Sequence, residues 1–325
     1  MDSLTKTSIS NEQIAQMVRK AFGENTTINE IKELKEGFFN TAYMLTLGDD
    51  TKTVLKVSPP KDITVMRYEK NIMENEVHVL NTIFSSGTVP VPKVLCYDRA
   101  RDIIDNEYFF MEFLQGSPLN NIYDEFTQQQ QNSISTELGI YAKRITDIKS
   151  EYFGDISQEN KQFTTWSEAF LFMIKELLDD AKDNKVKLPY DYNEIYKMIE
   201  NKRDVLNMVE KASLVHKDMW QGNIFVDPQT AKIQGIVDCE RAVYGDMLLE
   251  LVCGFLSEDT IFINNFIGRS YLEKDEQFRL ILYRIYLYLI MIIECSYRQY
   301  PSDDLENWAR GQLNEAFEDL LGCKG

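Results

Sequence analysis

The first regular pattern along the chain is helical. Ile14, Val18 and Phe22 repeat every four residues, Ser10 and Gln13 have capping-box spacing, and Gly23 follows as a stop, so a short amphipathic helix is expected to open the chain. The period then falls to two. The runs INEIKELK, NTAYMLTL and KTVLKV alternate or carry β-branched and apolar residues, with breaks at Gly37 and at Gly48 to Asp50, which predicts three antiparallel strands with Lys56 in the third. Met73, Val77, Leu80 and Phe84 return at helical spacing, with Glu76 beside the stripe. Two more strand-like runs follow, KVLCYD and EYFFMEFL. Five strands and one helix after the opening segment make a small first lobe.

Beyond Gly116 the pattern is helical. Ile134, Leu138, Tyr141, Ile145 and Ile148 form one stripe, and Thr165 with Glu168 caps another that runs through Phe170, Met173, Ile174 and Leu177. One short β segment interrupts the helices. IFVD and KIQGIVD are apolar runs either side of a turn containing Pro228, as expected of a hairpin. The start of its first strand then lies beside the end of its second, which makes Asn223 and Asp238 neighbours and puts Asp218 in the loop leading into them.

Composition narrows the function classes. A formal charge of -17 over 325 residues repels nucleic acid and anionic membrane surfaces, and no Lys/Arg run reverses it locally. The same charge would favour a cationic substrate. The five cysteines, Cys96, Cys239, Cys253, Cys295 and Cys323, have no CxxC spacing, which points to reduced thiols in the cytoplasm, and two histidines are too few for a His-rich metal site. The N-terminal residues lack a basic segment followed by an apolar one, so no signal peptide is expected. The apolar run from Leu280 to Ile293 contains Arg284 and is too short to span a bilayer; a buried helix is expected instead.

Asp218, Asn223 and Asp238 are all oxygen donors, which suit Mg²⁺ held jointly with phosphates. The spacing His216, Asp218, Asn223 in HKDMWQGN resembles the H-x-D-x-x-x-x-N catalytic loop of kinase-fold enzymes, and Asp238 matches their metal-binding D-F-G aspartate. With IVDCERAVYGDMLLEL following, similar to "I-D-x-E-x-A…G-D-P", the chain resembles the aminoglycoside phosphotransferase family of small-molecule kinases.

That resemblance implies a bilobal α+β protein-kinase-like fold, with residues 1–111 as the nucleotide-binding lobe, 112–116 as the hinge and 117–325 as a helical lobe carrying the acceptor site. It implies ATP or GTP with Mg²⁺ as cofactors. Asp218 would be the catalytic base, Asn223 and Asp238 the metal ligands, and Lys56 with Glu76 the ion pair on the phosphates. Val54, Met111, Leu114, Phe225 and Ile236 would line the base pocket, with backbone groups of Glu112 and Leu114 at its edge. His216 and Asp246 would support the catalytic loop, Asp246 by tying it to the following helix. Trp220 reads as a packing residue.

Protein kinases have a long activation segment and an A-P-E sequence that are absent here, which favours a small acceptor with a hydroxyl: an aminoglycoside or another cationic alcohol, drawn by Glu240 and Glu250. Choline, a methylthiosugar or a glycated amine are alternatives, and a catalytically silent nucleotide-binding protein is a reading of another class. The chain departs from the family at Lys217, where the antibiotic kinases usually have Gly, at Cys239 and Glu240 after Asp238, and in the single glycine of EGFFNTAY.

Overall fold

The computed structural model describes residues 5–35, 39–252 and 254–322. The expectation placed on Gly37, and Cys253 and Cys323, lie outside them.

The capping box at Ser10 starts α1 (Asn11–Phe22). Strands β1 (Ile28–Leu34), β2 (Thr41–Leu47) and β3 (Lys52–Val57) follow, then α2 (Ile72–Ser86), β4 (Val94–Asp98) and β5 (Tyr108–Glu112). The five strands form one antiparallel sheet in the order β1-β2-β3-β5-β4. In β3 every residue after Lys52 is buried, because the sheet is covered on both faces. Leu55 and Val57 point to a back face, where Ile14, Met17 and Val18 of α1 pack with Leu45, Tyr108 and Phe110. Val54, Phe109 and Met111 join the other core, which takes in Met73, Val77 and Leu80 of α2 and runs on into the large lobe. The opening helix therefore belongs to the small lobe, which has two helices rather than one. Burying each large apolar side chain of α1 stabilises by about 1.5–3 kcal/mol.

The chain leaves β5 through Gly116, whose φ of 104° and close approach to the Val226 carbonyl leave no room for a Cβ. It then forms β6 (Ser117–Pro118), α3 (Leu119–Ile122), α4 (Gln128–Thr146), β7 (Lys149–Ser150), β8 (Phe153–Gly154), β9 (Gln162–Phe163), α5 (Trp166–Asp183), α6 (Tyr192–Glu200) and α7 (Arg203–Leu206). Next come β10 (Ala212–Val215), β11 (Ile224–Val226), β12 (Ile233–Ile236) and β13 (Val243–Gly245), and last α8 (Thr260–Ile267), α9 (Lys274–Arg298) and α10 (Asp304–Gly322). Helix α9 is buried on most of its surface, as its nearly unbroken apolar sequence requires. Among the described residues no helix is long and apolar enough to cross a membrane.

The large lobe holds more β structure than the single hairpin expected. Strand β6 adds to the hairpin as a third strand, and β7, β10, β13, β8 and β9 make a second five-stranded sheet. These strands are two to four residues long. Elements that short have no period to read and are set by tertiary pairing.

Candidate active site

The β11–β12 hairpin fixes the centre of the site. Ile224 pairs with Ile236 and Phe225 with Gly235, and the Val237 N–H donates to the Asn223 carbonyl at 3.0 Å, so Asn223 and Asp238 sit together at the open end. Asn223 turns its amide nitrogen back on Asp218, donating to its carbonyl oxygen at 2.8 Å and to its carboxylate at 3.3 Å. That fixes the Asp218 side chain and leaves the Asn223 amide oxygen as the atom available to a cation.

His216 is fully buried and holds the loop from within. Its Nδ1 accepts the Asp218 N–H at 3.2 Å, so Nε2 carries the proton and donates to the Val237 carbonyl at 2.9 Å. Asp218 itself keeps 24% of its side chain open, with the Arg241 guanidinium 3.9 Å away. Burial pushes its pKa up to about 6 against the pull of Arg241, and the nearby Asp238 and Glu294 add to the rise. Arg241 is held in turn by Glu294 at 2.9 Å, and Arg298 links Glu294 to Glu69.

Lys56 joins three elements. Its ammonium meets both oxygens of Glu76 on α2, at 2.8 and 2.7 Å, and Asp238 at 2.7 Å. Burial works against the charge on Lys56, but Asp238, Glu76 and Glu240 outweigh it and hold its pKa above the usual value. Asp238 shows the reverse: burial would raise its pKa, yet Lys56 holds it below the ordinary carboxylate range. Asp238 also occupies the left-handed region at φ 66°, uncommon for a non-glycine residue. Carboxylate oxygens of Glu76, Asp238 and Glu240 come within 4.8 Å of one another. Since Lys56 takes both oxygens of Glu76, the second oxygen of Asp238 and the amide oxygen of Asn223 remain, a hard donor pair that fits Mg²⁺.

On the other side of the hairpin, Val54 and Met111 are paired across β3 and β5. Leu114 lies over Gly235, where a Cβ would stand 2.4 Å from its Cδ1. Phe225 shares that face because it is opposite Gly235, and Val237, two residues on, shares it too. Ile236 does not. It pairs with Ile224, points to the far face and is fully buried, whereas Val237 is half-buried. The N–H of Glu112 is also not free for a ligand, because it donates to the Lys93 carbonyl at 2.9 Å.

Four further expectations change. Glu250 is fully buried and accepts the backbone N–H groups of His216 and Lys217, at 2.8 and 3.2 Å, so it supports the catalytic loop and does not face a substrate. Asp246, expected to tie that loop, accepts from Arg279 and Tyr283 of α9, each at 2.7 Å. Glu240 is buried and accepts from Asn40 at 2.7 Å. Trp220 is 44% exposed and lies across Gly222 instead of packing in a core. The pattern reading missed Arg241, Glu294 and Tyr68; only Arg241, inside IVDCERA, stood in a stretch already singled out.

A family model described as "Phosphotransferase enzyme family" matches residues 30–278. Among solved structures, the chain is similar to one assigned as a fructosamine-3-kinase from Haemophilus somnus, with a TM-score of 0.68 and 19% identity over 94% of this chain and 97% of that one. It is also similar to a thermostable mutant of aminoglycoside phosphotransferase APH(4)-Ia in ternary complex with AMP-PNP and hygromycin B, with a TM-score of 0.64 and 16% identity over 96% of this chain and 100% of that one. At these identities the likeness is one of kinase-like α+β fold. Among curated proteins, "Acyl-CoA dehydrogenase family member 11" of Homo sapiens is 22% identical over 228 residues, 68% of this chain. The chain spans 27% of that relative's length.

Proposed function

Since the chain belongs to the phosphotransferase enzyme family, we propose that it moves the terminal phosphoryl group of ATP or GTP to a hydroxyl of a small molecule. The observation that carries this is the convergence of Asp218, Asn223 and Asp238 at one end of the hairpin with the Lys56–Glu76 pair brought to the same point from the small lobe. The nucleotide lies between residues 1–111 and 117–325, across a hinge at 112–116. Its base rests among Val54, Met111, Leu114, Phe225 and Val237, and the backbone of Leu114 meets its edge. Asn223 and Asp238 would hold Mg²⁺, which would offset the charge of the phosphates.

Lys56, kept cationic by its carboxylate partners, would hold the phosphates. Asp218 orients the acceptor and takes the hydroxyl proton as the new oxygen–phosphorus bond forms and the bond to the departing diphosphate breaks. Its carboxylate, about a quarter open and fixed by Asn223, is suited to that work, and most of the rate comes from positioning and electrostatics. The retained ionic residues speak against a silent nucleotide-binding protein. The free thiols Cys96, Cys239 and Cys295 favour a cytoplasmic setting.

The acceptor is small because only seven residues separate Asp238 from Asp246, leaving no segment on which to lay a peptide. Mass-spectrometric screening of a hydroxyl-compound library with Mg-ATP tests the proposal. It expects one or more phosphate adducts that vanish with Asp218→Asn; adducts of equal yield in that variant would overturn it.

A further inference from the structure

Two residues beyond the catalytic base the loop presents an open indole, and we infer that Trp220 selects the acceptor: a ring of the acceptor stacks on it while a hydroxyl at that ring's edge meets Asp218. This rests on the phosphotransferase reading above and narrows the alcohols it takes to those that carry an uncharged ring.

The chain has three tryptophans. Trp166 is fully buried and donates its N–H to the Tyr283 hydroxyl at 2.7 Å, and Trp308 stands edge-on to Tyr288 with ring centres 5.8 Å apart. Trp220 has neither setting. It is 44% exposed, which forgoes the stabilisation that burying so large an apolar ring would give. From Asp218 to Trp220 the chain has no turn or bend, and Trp220 itself is extended, with φ -88° and ψ 165°. Side chains alternate along such a segment. Met219 between them is fully buried, so Asp218 and Trp220 both point away from the core, and each keeps part of its side chain open.

The turn that follows makes a seat for the ring. A Cβ on Gly222 would stand 2.1 Å from Cη2 of the indole and 2.3 Å from its Cζ2, so the six-membered ring lies against the glycine, in the turn Gln221–Asn223 that carries Asn223. Only glycine leaves that place for it. The ring is thus fixed beside both Asp218 and Asn223 with part of its surface uncovered. An indole also attracts an ammonium ion. The acids that would hold such an ion near Asp218 are engaged: Glu250 accepts from His216 and Lys217, Glu240 accepts from Asn40, and Glu294 pairs with Arg241 and Arg298. The Arg241 guanidinium, 3.9 Å from Asp218, adds positive charge there. A neutral ring meets no such opposition. It lays an apolar face on the indole and keeps its hydroxyls at the edge, whereas an open chain must lose rotamer freedom to do the same.

The test is steady-state transfer from Mg-ATP to four panels: cyclic polyols, hydroxymethyl derivatives of planar heterocycles, open-chain polyols and open-chain amino alcohols. The best ring compound should exceed the best open-chain compound in kcat/KM by roughly tenfold, the scale of one stacking contact, and its panel tells a saturated ring from a planar one. In Trp220→Ala that ratio should collapse toward one through KM for the ring compound, with KM for ATP unchanged, and Trp220→Phe should restore most of it. A purely structural role would lower all four panels alike, and partial loss of folded protein cancels from the ratio. A second measurement needs no turnover. In Trp308→Phe, with Trp166 buried, acrylamide quenching reports Trp220, and the preferred ring compound with Mg-ADP should reduce it. Equal or better transfer to open-chain polyols or amino alcohols overturns the inference, as does a ratio that survives Trp220→Ala or quenching unchanged by a ring compound that is phosphorylated. Transfer to no ring compound by protein that binds Mg-ATP overturns it as well. Failure to bind Mg-ATP would strike the phosphotransferase reading itself, and the inference with it.

Discussion

The carboxylate of Glu250 accepts the backbone N–H of His216 at 2.8 Å from 34 residues further along the chain. Its other oxygen takes the N–H of Lys217, so one buried side chain holds the first turn of the catalytic loop. Glu250→Ala leaves both donors buried without a partner, and the expected loss of stability is about 2–4 kcal/mol. Chemical denaturation measures it. In the fraction that folds, turnover should fall more than Mg-ATP affinity, because the loop carries Asp218 and not the base pocket.

Asp218→Asn should keep the fold and the affinity for Mg-ATP while lowering the single-turnover rate by about 10²–10⁴-fold, the usual contribution of a positioned base. Rapid-quench measurement of transfer checks this. A loss below fivefold would remove Asp218 from the chemistry.

For Asp238→Asn the expected change is in metal dependence. The amide is a poor Mg²⁺ ligand and releases the Lys56 ammonium from a 2.7 Å contact, so the Mg²⁺ concentration giving half-maximal activity should rise at least about tenfold. Calorimetry of Mg-nucleotide binding provides the check, and an unchanged metal requirement would count against the assignment.

Ile236 and Val237 are adjacent and should behave as opposites. Ile236→Ala removes a fully buried side chain on the core face, with an expected loss of about 2–5 kcal/mol and little change in KM for ATP. Val237→Ala should leave stability nearly unchanged and raise that KM severalfold. Melting curves and nucleotide kinetics on the pair separate the two faces of the strand.

Much of this centre could be read before the fold. Asp218, Asn223 and Asp238 converge through a local hairpin, and a hairpin is written in alternation and turn residues. The meeting of Lys56 with Glu76 was implied by the family resemblance, and α2 brings it about. The errors fall where distant contacts decide. The resemblance puts Ile236 in the lining, and only its pairing with Ile224, beside that of Phe225 with Gly235, shows that it faces the core. Glu250 and Asp246 are two acids in one short segment, and whether each reaches the loop or α9 depends on packing that no local pattern encodes. The strands β7 to β9 are too short to carry any signal.

The side-chain nitrogen of Asn75, on α2, donates to the carbonyls of Glu240 and Ala242, at 2.8 and 2.9 Å, just beyond Asp238. The same helix grips Lys56 through Glu76. In regulated kinases the corresponding helix swings in and out, and that swing is the switch. Here it is riveted on two sides, to the sheet and to the turn that follows Asp238, and neither bond survives a swing. Displacing α2 would therefore cost both sets of bonds at once.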